Sequence, residues 1–183
     1  MNHLKKIIED TLLKILLKKD FNKIDINEVQ KQTKISQKKF FQIFENKEDI
    51  MISFFNRIDQ NLEKRIKKKK LGNNIKDNLF EICMTRIDLL SPYKKNLHNF
   101  YISFQKKPNL FSKLYKSFFL SMNKNLELSK IKLDPLKKNL KVFLFSFLYL
   151  SIIYEWYKEN STNNEKIMAI LDSRLSLVEN IFI

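Results

Sequence analysis

The chain contains a single glycine, Gly72, in 183 residues. A glycine-rich phosphate cradle therefore cannot be built, and tight hairpin turns lack the residue that most easily takes positive φ. Three prolines, Pro92, Pro108 and Pro135, leave long stretches uninterrupted. One cysteine, Cys83, excludes an internal disulfide framework, and its place on an apolar helical stripe reads as inert core. The two histidines, His3 and His98, stand far apart with no cysteine or carboxylate at metal-ligand spacing. No catalytic constellation, metal site or cofactor is expected from these residues, and no enzymatic activity. Lys5, Lys6, Glu9, Asp10 and Lys14 break up the first 19 residues, so no signal-peptide core is expected there. The longest apolar run, Val142 to Tyr154, is shorter than a bilayer span. A cytoplasmic location is the expectation.

Acidic residues are the other shortage. There are 20 Asp and Glu against 35 Lys and Arg, a formal charge of +15, which favours anionic partners such as nucleic acid or an acidic membrane surface. The excess is spread along the chain. Residues 1–72 hold 18 basic and 10 acidic residues, and residues 73–183 hold 17 and 10. Charge alone therefore does not mark one end as the binding end. Apolar residues make up 44% of the chain, ample for a core.

The apolar residues recur at helical spacing almost throughout, with no strand-like alternation and no internal repeat. Residues 3–19 carry Leu4, Ile8, Leu12, Ile15 and Leu16 on one side. A helix from about 47 to 70 carries Ile50, Phe54, Ile58, Leu62 and Ile66, and its end holds Lys67 to Lys70, read as a solvated helix end. Leu71-Gly72-Asn73-Asn74 is the strongest break. Beyond it, Ile75, Leu79, Ile82, Cys83, Ile87 and Leu90 form the next stripe, and Ser91-Pro92 reads as a cap followed by proline at a first helical position. Pro108-Asn109 starts a helix to about 128, Asp134-Pro135 one to about 159, and Thr162 with Glu165 a capping box for the last. This is an all-α chain of about nine helices, divided into residues 1–50, whose third helix continues to about 70, and residues 73–183.

The stretch from Asp25 to Ile50 carries the functional signal. Asp25 can cap a short helix, with Glu28 three residues on in a capping-box arrangement, and Ile26 and Val29 give it one apolar side. Ser36 can cap a second short helix over 37–44, which buries Phe40, Ile43 and Phe44, and Asn46 can cap the third. Between Val29 and Phe44 there is no acidic residue but there are four lysines, Lys31, Lys34, Lys38 and Lys39. Two short helices with a basic second member are what a DNA-reading helix-turn-helix requires. Gln37, Lys38 and Lys39 fall on the first turn of the second helix and Gln42 one turn on. Lysine can donate to guanine acceptors, and glutamine can pair with adenine. Lys47, at a helix N-terminus with free backbone N–H groups, would hold a phosphate.

Phe21, Ile26, Val29, Ile35, Ser36, Phe40, Phe41, Phe44, Lys47, Glu48 and Ile50 fall at the spacing of the N-terminal domain of TetR-type transcriptional regulators, which this stretch resembles over about 30 residues. The chain departs from that family at Asp20 and Lys34, where it usually has glycine, at Gln30, usually a small residue, at Phe41, usually tyrosine, and at Ile43, usually histidine. The resemblance implies a three-helix DNA-binding domain followed by a helical ligand-binding and dimerisation domain. It implies palindromic operator DNA as partner, contacted by Ser36, Gln37, Lys38, Lys39, Phe41, Gln42 and Lys47. It also implies a homodimer through the last two helices, about 135–159 and 162–182. The first of these is apolar over more than one side.

The second region also resembles a TetR-like branch and the related lipid-binding accessory family of ubiquinone biosynthesis. That likeness lies in Ile75-Lys-Asp-x-Leu-Phe, Arg86-x-Asp-x-Leu-x-Pro-Tyr-Lys, Trp156, Ser161 and Ile170-Leu-Asp-x-Arg-Leu175. Asp172 and Arg174 read as helix-surface pairing or dimer contacts. The aromatic content of residues 97–157 permits a ligand cavity, with Phe100, Phe104, Phe111, Tyr115, Phe118, Phe147 and Tyr154 as candidate lining and an apolar or lipid-like effector as the occupant. Two functions follow as expectations. One is a ligand-responsive regulator, a repressor. The other is a lipid- or isoprenoid-binding accessory protein that keeps the fold, does not read DNA and docks on a membrane.

Overall fold

The computed structural model describes residues 2–106, 109–132, 134–159 and 164–182; the side chains of residues 2, 109–111, 113 and 179–182 lie outside that description. It is all-α and 82% helical, with no strand among the described residues. Among the described residues eight helices have eight residues or more. These are α1 (Asn2–Leu16), α2 (Ile26–Thr33), α4 (Lys47–Lys69), α5 (Ile75–Leu90), α6 (Lys94–Lys106), α7 (Asn109–Leu128), α8 (Lys138–Lys158) and α9 (Glu165–Phe182); the five-residue α3 (Gln37–Phe41) lies between α2 and α4. The chain forms two compact units that are interleaved in sequence. One takes Met1–Ile58 and Pro92–Ser117, the other Asp59–Ser91 and Phe118–Ile183. The helix break at 71–74 is therefore not where the chain changes unit.

In the first unit α1, the start of α4 and α6 enclose Ile8, Leu12, Leu16, Phe21, Val29, Phe40, Ile50, Met51 and Phe54, all fully buried. The C-terminal carbonyls of α1, which have no partner within their own helix, are met by side chains of α6. Asn96 Nδ2 donates to Leu13 O at 2.6 Å and Asn99 Nδ2 to Leu16 O at 2.8 Å. Phe21 opens a 3-10 turn, Phe21–Lys23, capped by Asp20. The Phe21 N–H donates to Ser103 Oγ at 2.9 Å, and its ring meets Phe100 edge-on at 4.9 Å. Helix α6 thus packs on α1 and on the Phe21 turn, which is why it belongs to this unit. Glu9, nearly fully buried on α1, accepts from Ser53 Oγ at 2.7 Å and from Arg57 Nε at 2.5 Å, tying α1 to α4.

In the second unit α5 and α8 both pack on α9. Leu62, Ile66 and Ile82 form one buried cluster with Leu71, Leu89 and Leu128 against it, and Tyr149, Ile152, Trp156, Leu171 and Leu175 are buried as well. Asn74 caps α5, its Oδ1 accepting from Asp77 N at 3.0 Å. Asp172 pairs with Lys76 at 2.8 Å, and Arg174 reaches Ser151 Oγ at 2.7 Å and Glu155 at 3.6 Å, so both engage helix-surface partners within the unit.

Some local expectations are corrected. Ser91 does not open a helix. It continues α5, its hydroxyl donating back to Ile87 O at 2.9 Å, and a 3-10 turn, Ser91–Tyr93, leads into α6 at Lys94. Asp134 starts a turn rather than α8: its Oδ1 accepts from Leu136 N at 3.0 Å, and the helix begins at Lys138. Thr162 lies outside the described residues. The uninterrupted apolar run is short, yet the whole of α8, 21 residues, is long and apolar enough by length and composition to cross a membrane. Half of its most apolar window is buried.

Candidate nucleic-acid interface

The site is built from α2, the turn after it and α3. Asp25 caps α2 as expected, its Oδ1 accepting from Asn27 N at 3.0 Å. The reciprocal half of the capping box is absent, because the Glu28 carboxylate is held by Lys19 at 2.6 Å. Asn46 caps α4 and also pairs with Asp49 through its side chain. Its Oδ1 accepts from Asp49 N at 2.9 Å, and its Nδ2 donates to Asp49 Oδ2 at 2.7 Å.

The turn solves the missing glycine in two ways. Lys34 adopts the left-handed conformation itself, φ 55°, ψ 18°. Gln30, where a small residue was expected, bridges the turn: its Nε2 donates to Ile35 O at 2.8 Å. Thr33 Oγ1 adds a bond to Gln30 O at 2.6 Å and accepts from Ile35 N at 3.4 Å. The angle between α2 and α3 is thus fixed by side-chain hydrogen bonds rather than by glycine alone.

Ser36 occupies the N-cap position of α3, but its hydroxyl makes no capping bond. Phe40 anchors α3 in the core, with the Phe41 ring edge-on to it at 5.2 Å and half-buried. Phe44 is buried and Ile43 half-buried in the turn that follows, their N–H groups both bonded to Phe40 O. Ser36, Gln37, Lys38, Lys39 and Gln42 are all exposed. The helix therefore presents hydroxyl, amide and ammonium groups on its outer side and no carboxylate.

Lys47 has a different place from the one expected. Its Nζ donates to Phe21 O at 2.8 Å and to Ile24 O at 2.7 Å, with Asn22 O at 3.4 Å, and it lies 4.9 Å from the centre of the Phe21 ring. The ammonium closes the Phe21 turn onto the start of α4 instead of projecting toward a phosphate. One of the backbone N–H groups expected to be free, that of Asp49, is taken by Asn46. The carboxyl of Asp20, at the head of the same turn, is held below the usual carboxylate range, chiefly by the Asn22 N–H.

The seven aromatic residues expected to line a cavity divide between the two units. Phe100 is core of the first unit, between Phe21 and Phe55. Phe104 is half-buried and Tyr115 exposed in the same unit, and the Phe111 side chain lies outside the described residues. In the second unit Phe118 is half-buried beside Phe119, while Phe147 and Tyr154 face outward from α8, Phe147 at 70% exposure. Lys158 Nζ sits 3.9 Å from the centre of the Tyr154 ring.

One buried ionic group went unread in the sequence beyond its motif resemblance. Arg86, 4% exposed, donates from Nε to Asp59 Oδ1 at 2.9 Å and from Nη1 to the Tyr149 hydroxyl at 2.6 Å. Burial alone would lower the guanidinium's pKa; the facing Asp59 carboxylate and the Tyr149 hydroxyl together outweigh it and raise it. Burial pushes the Tyr149 phenol and the Cys83 thiol each up to about 12, so both stay protonated at neutral pH. His3 and His98 are exposed. Among the described residues no three His, Cys, Asp or Glu side chains are grouped to hold a metal ion.

Compared with known proteins, the sequence matches no family model, and no curated protein matches it.

Proposed function

We propose that the chain is a ligand-responsive transcriptional regulator, a repressor, that binds palindromic operator DNA as a homodimer through residues 37–44. The observation that carries this reading is the exposed face of α3, with Gln37, Lys38, Lys39 and Gln42 outward beside a turn pinned by Gln30. Side chains of this kind on the first turns of a recognition helix reach base edges in the major groove. The Phe41 ring stands where a phosphate-contacting hydroxyl is usual, so backbone contacts fall to Ser36 and the lysines.

The dimer is supported by α8. Leu140, Phe143, Phe147, Leu150 and Tyr154 are all exposed. Their spacing alternates four and three residues, the seam of a coiled or four-helix packing. Met168 and Leu177 extend apolar exposure onto α9. A second copy of the chain is the occupant that such a seam fits. Two copies of α3 would then enter successive major grooves about 34–36 Å apart. An apolar effector that favours another spacing would release the DNA, because DNA and ligand select different states.

The same α8 stripe, on a helix of membrane-spanning length, favours one second reading: a lipid-binding accessory protein that docks on a membrane and does not read DNA. One titration separates the two. The protein is mixed with DNA from upstream of its own gene and with scrambled DNA at two salt concentrations. A regulator prefers one short palindrome by about a thousandfold or more. Lys38→Ala with Lys39→Ala abolishes that preference and leaves helicity and dimerisation intact. Equal, weak, salt-sensitive binding to both DNAs, together with isoprenoid or phospholipid extracted from the purified protein, decides for the lipid reading.

A further inference from the structure

Among the described residues three non-glycine residues take positive φ, and all three are lysines: Lys34 at 55°, Lys70 at 52° and Lys130 at 69°. Each ends a helix, where glycine is the residue without a steric penalty. Lys130 uses its side chain there, with Nζ donating to Leu71 O at 2.7 Å and to Gly72 O at 3.0 Å. Lys70 ends the solvated run that starts at Lys67. Lys34 is exposed and its ammonium meets no partner among the described residues. Its neighbours do not need it to hold the turn, since Gln30 and Thr33 make the hydrogen bonds that fix the loop. The conformation alone assigns nothing, as Lys70 illustrates. Position separates the two: Lys34 stands three residues before Gln37, at the foot of the helix that carries the exposed lysines.

We propose that Lys34 is a phosphate-backbone contact of the DNA complex, reaching from the turn to the strand beside the groove that α3 enters. This deepens the DNA-binding reading above and rests on it. A contact of this kind fixes orientation and carries no sequence information. It accounts for a strained lysine at a place where glycine would cost less and where the ammonium does nothing for the fold.

The test uses the full-length protein and a fluorescein-labelled, mixed-sequence DNA duplex, with affinity measured by anisotropy across a salt series. Lys34→Gly removes the ammonium and the backbone strain together. Binding weakens, the log–log salt slope becomes shallower by about 0.9 for each chain bound, and the melting temperature rises by about 2–4 °C. Lys34→Gln keeps the strain and removes the charge, so it shows the same loss of slope with no gain in melting temperature. Lys34→Arg keeps the wild-type slope. If Gly and Gln variants both bind with the wild-type affinity and slope, the contact does not exist, while DNA binding by the chain stands. If the wild-type protein fails to bind the duplex even at low salt, the DNA-binding reading falls and this contact with it.

Discussion

Lys47→Met decides between two roles for a lysine at the start of α4. In the structure its ammonium donates to Phe21 O and Ile24 O at 2.8 and 2.7 Å and sits over the Phe21 ring. Each hydrogen bond to a charged group is worth about 1.5–3 kcal/mol net, and the ring contact about 0.5–1 kcal/mol at a partly exposed site. The side chain is half-buried, so water replaces part of what is lost, and methionine keeps the apolar stem packed. A net cost of about 2 kcal/mol is therefore expected, well below the sum of those contributions. For a chain of this size that is a fall in melting temperature of about 4–8 °C, read by circular dichroism at 222 nm. A pure phosphate contact would behave in the opposite way. The melting temperature would stay within about 1 °C of wild type, and the salt slope of DNA binding would lose about 0.9 per chain. That second outcome would refute the assignment of Lys47 to the Phe21 turn.

Two further outcomes are expected. Phe147→Glu puts a charge in the middle of the exposed α8 stripe, so light scattering after size exclusion should report a monomer with unchanged helicity; a persistent dimer would place the seam elsewhere. Arg86→Met leaves the Asp59 carboxylate without its partner at a site it shares with Tyr149. A loss of about 3–5 kcal/mol is expected from urea denaturation, most of it recovered by the Arg86→Met, Asp59→Leu pair, because an unpaired buried charge costs more than an apolar replacement of both partners.

The helices were legible because their apolar residues recur with helical spacing, and Asp25 and Asn46 cap as their side chains suggested. What the sequence hid depends on partners far along the chain. Lys47 looks like a free cation until the carbonyls of Phe21 and Ile24 are brought beneath it. Glu28 fits a capping box until Lys19 folds back to claim it. The place of α6 follows from Asn96, Asn99 and Ser103, polar residues that periodicity does not weigh. Phe147 and Tyr154 share a helix with buried aromatics and differ from them only in face. Since α8 is apolar nearly all round, spacing cannot say which side is covered. The exposed face of α3 was legible, because one buried anchor, Phe40, fixes the direction of the neighbours that point away from it.

The interleaving of the two units bears on how the protein is made. Residues up to Ile58 emerge from the ribosome first, yet their unit also needs Pro92–Ser117. The face of α1 and the Phe21 turn thus stay without α6 until residues 94–106 have been synthesised. Meanwhile α5, complete at Leu90, must wait for α9, which begins at Glu165. At roughly 5–20 residues per second that interval is about 4–15 s. During it the part of α5 that α9 covers lies open to solvent. Nascent chains are therefore most vulnerable to aggregation and to chaperone capture in the window between the two helices, and a pause placed there would lengthen it.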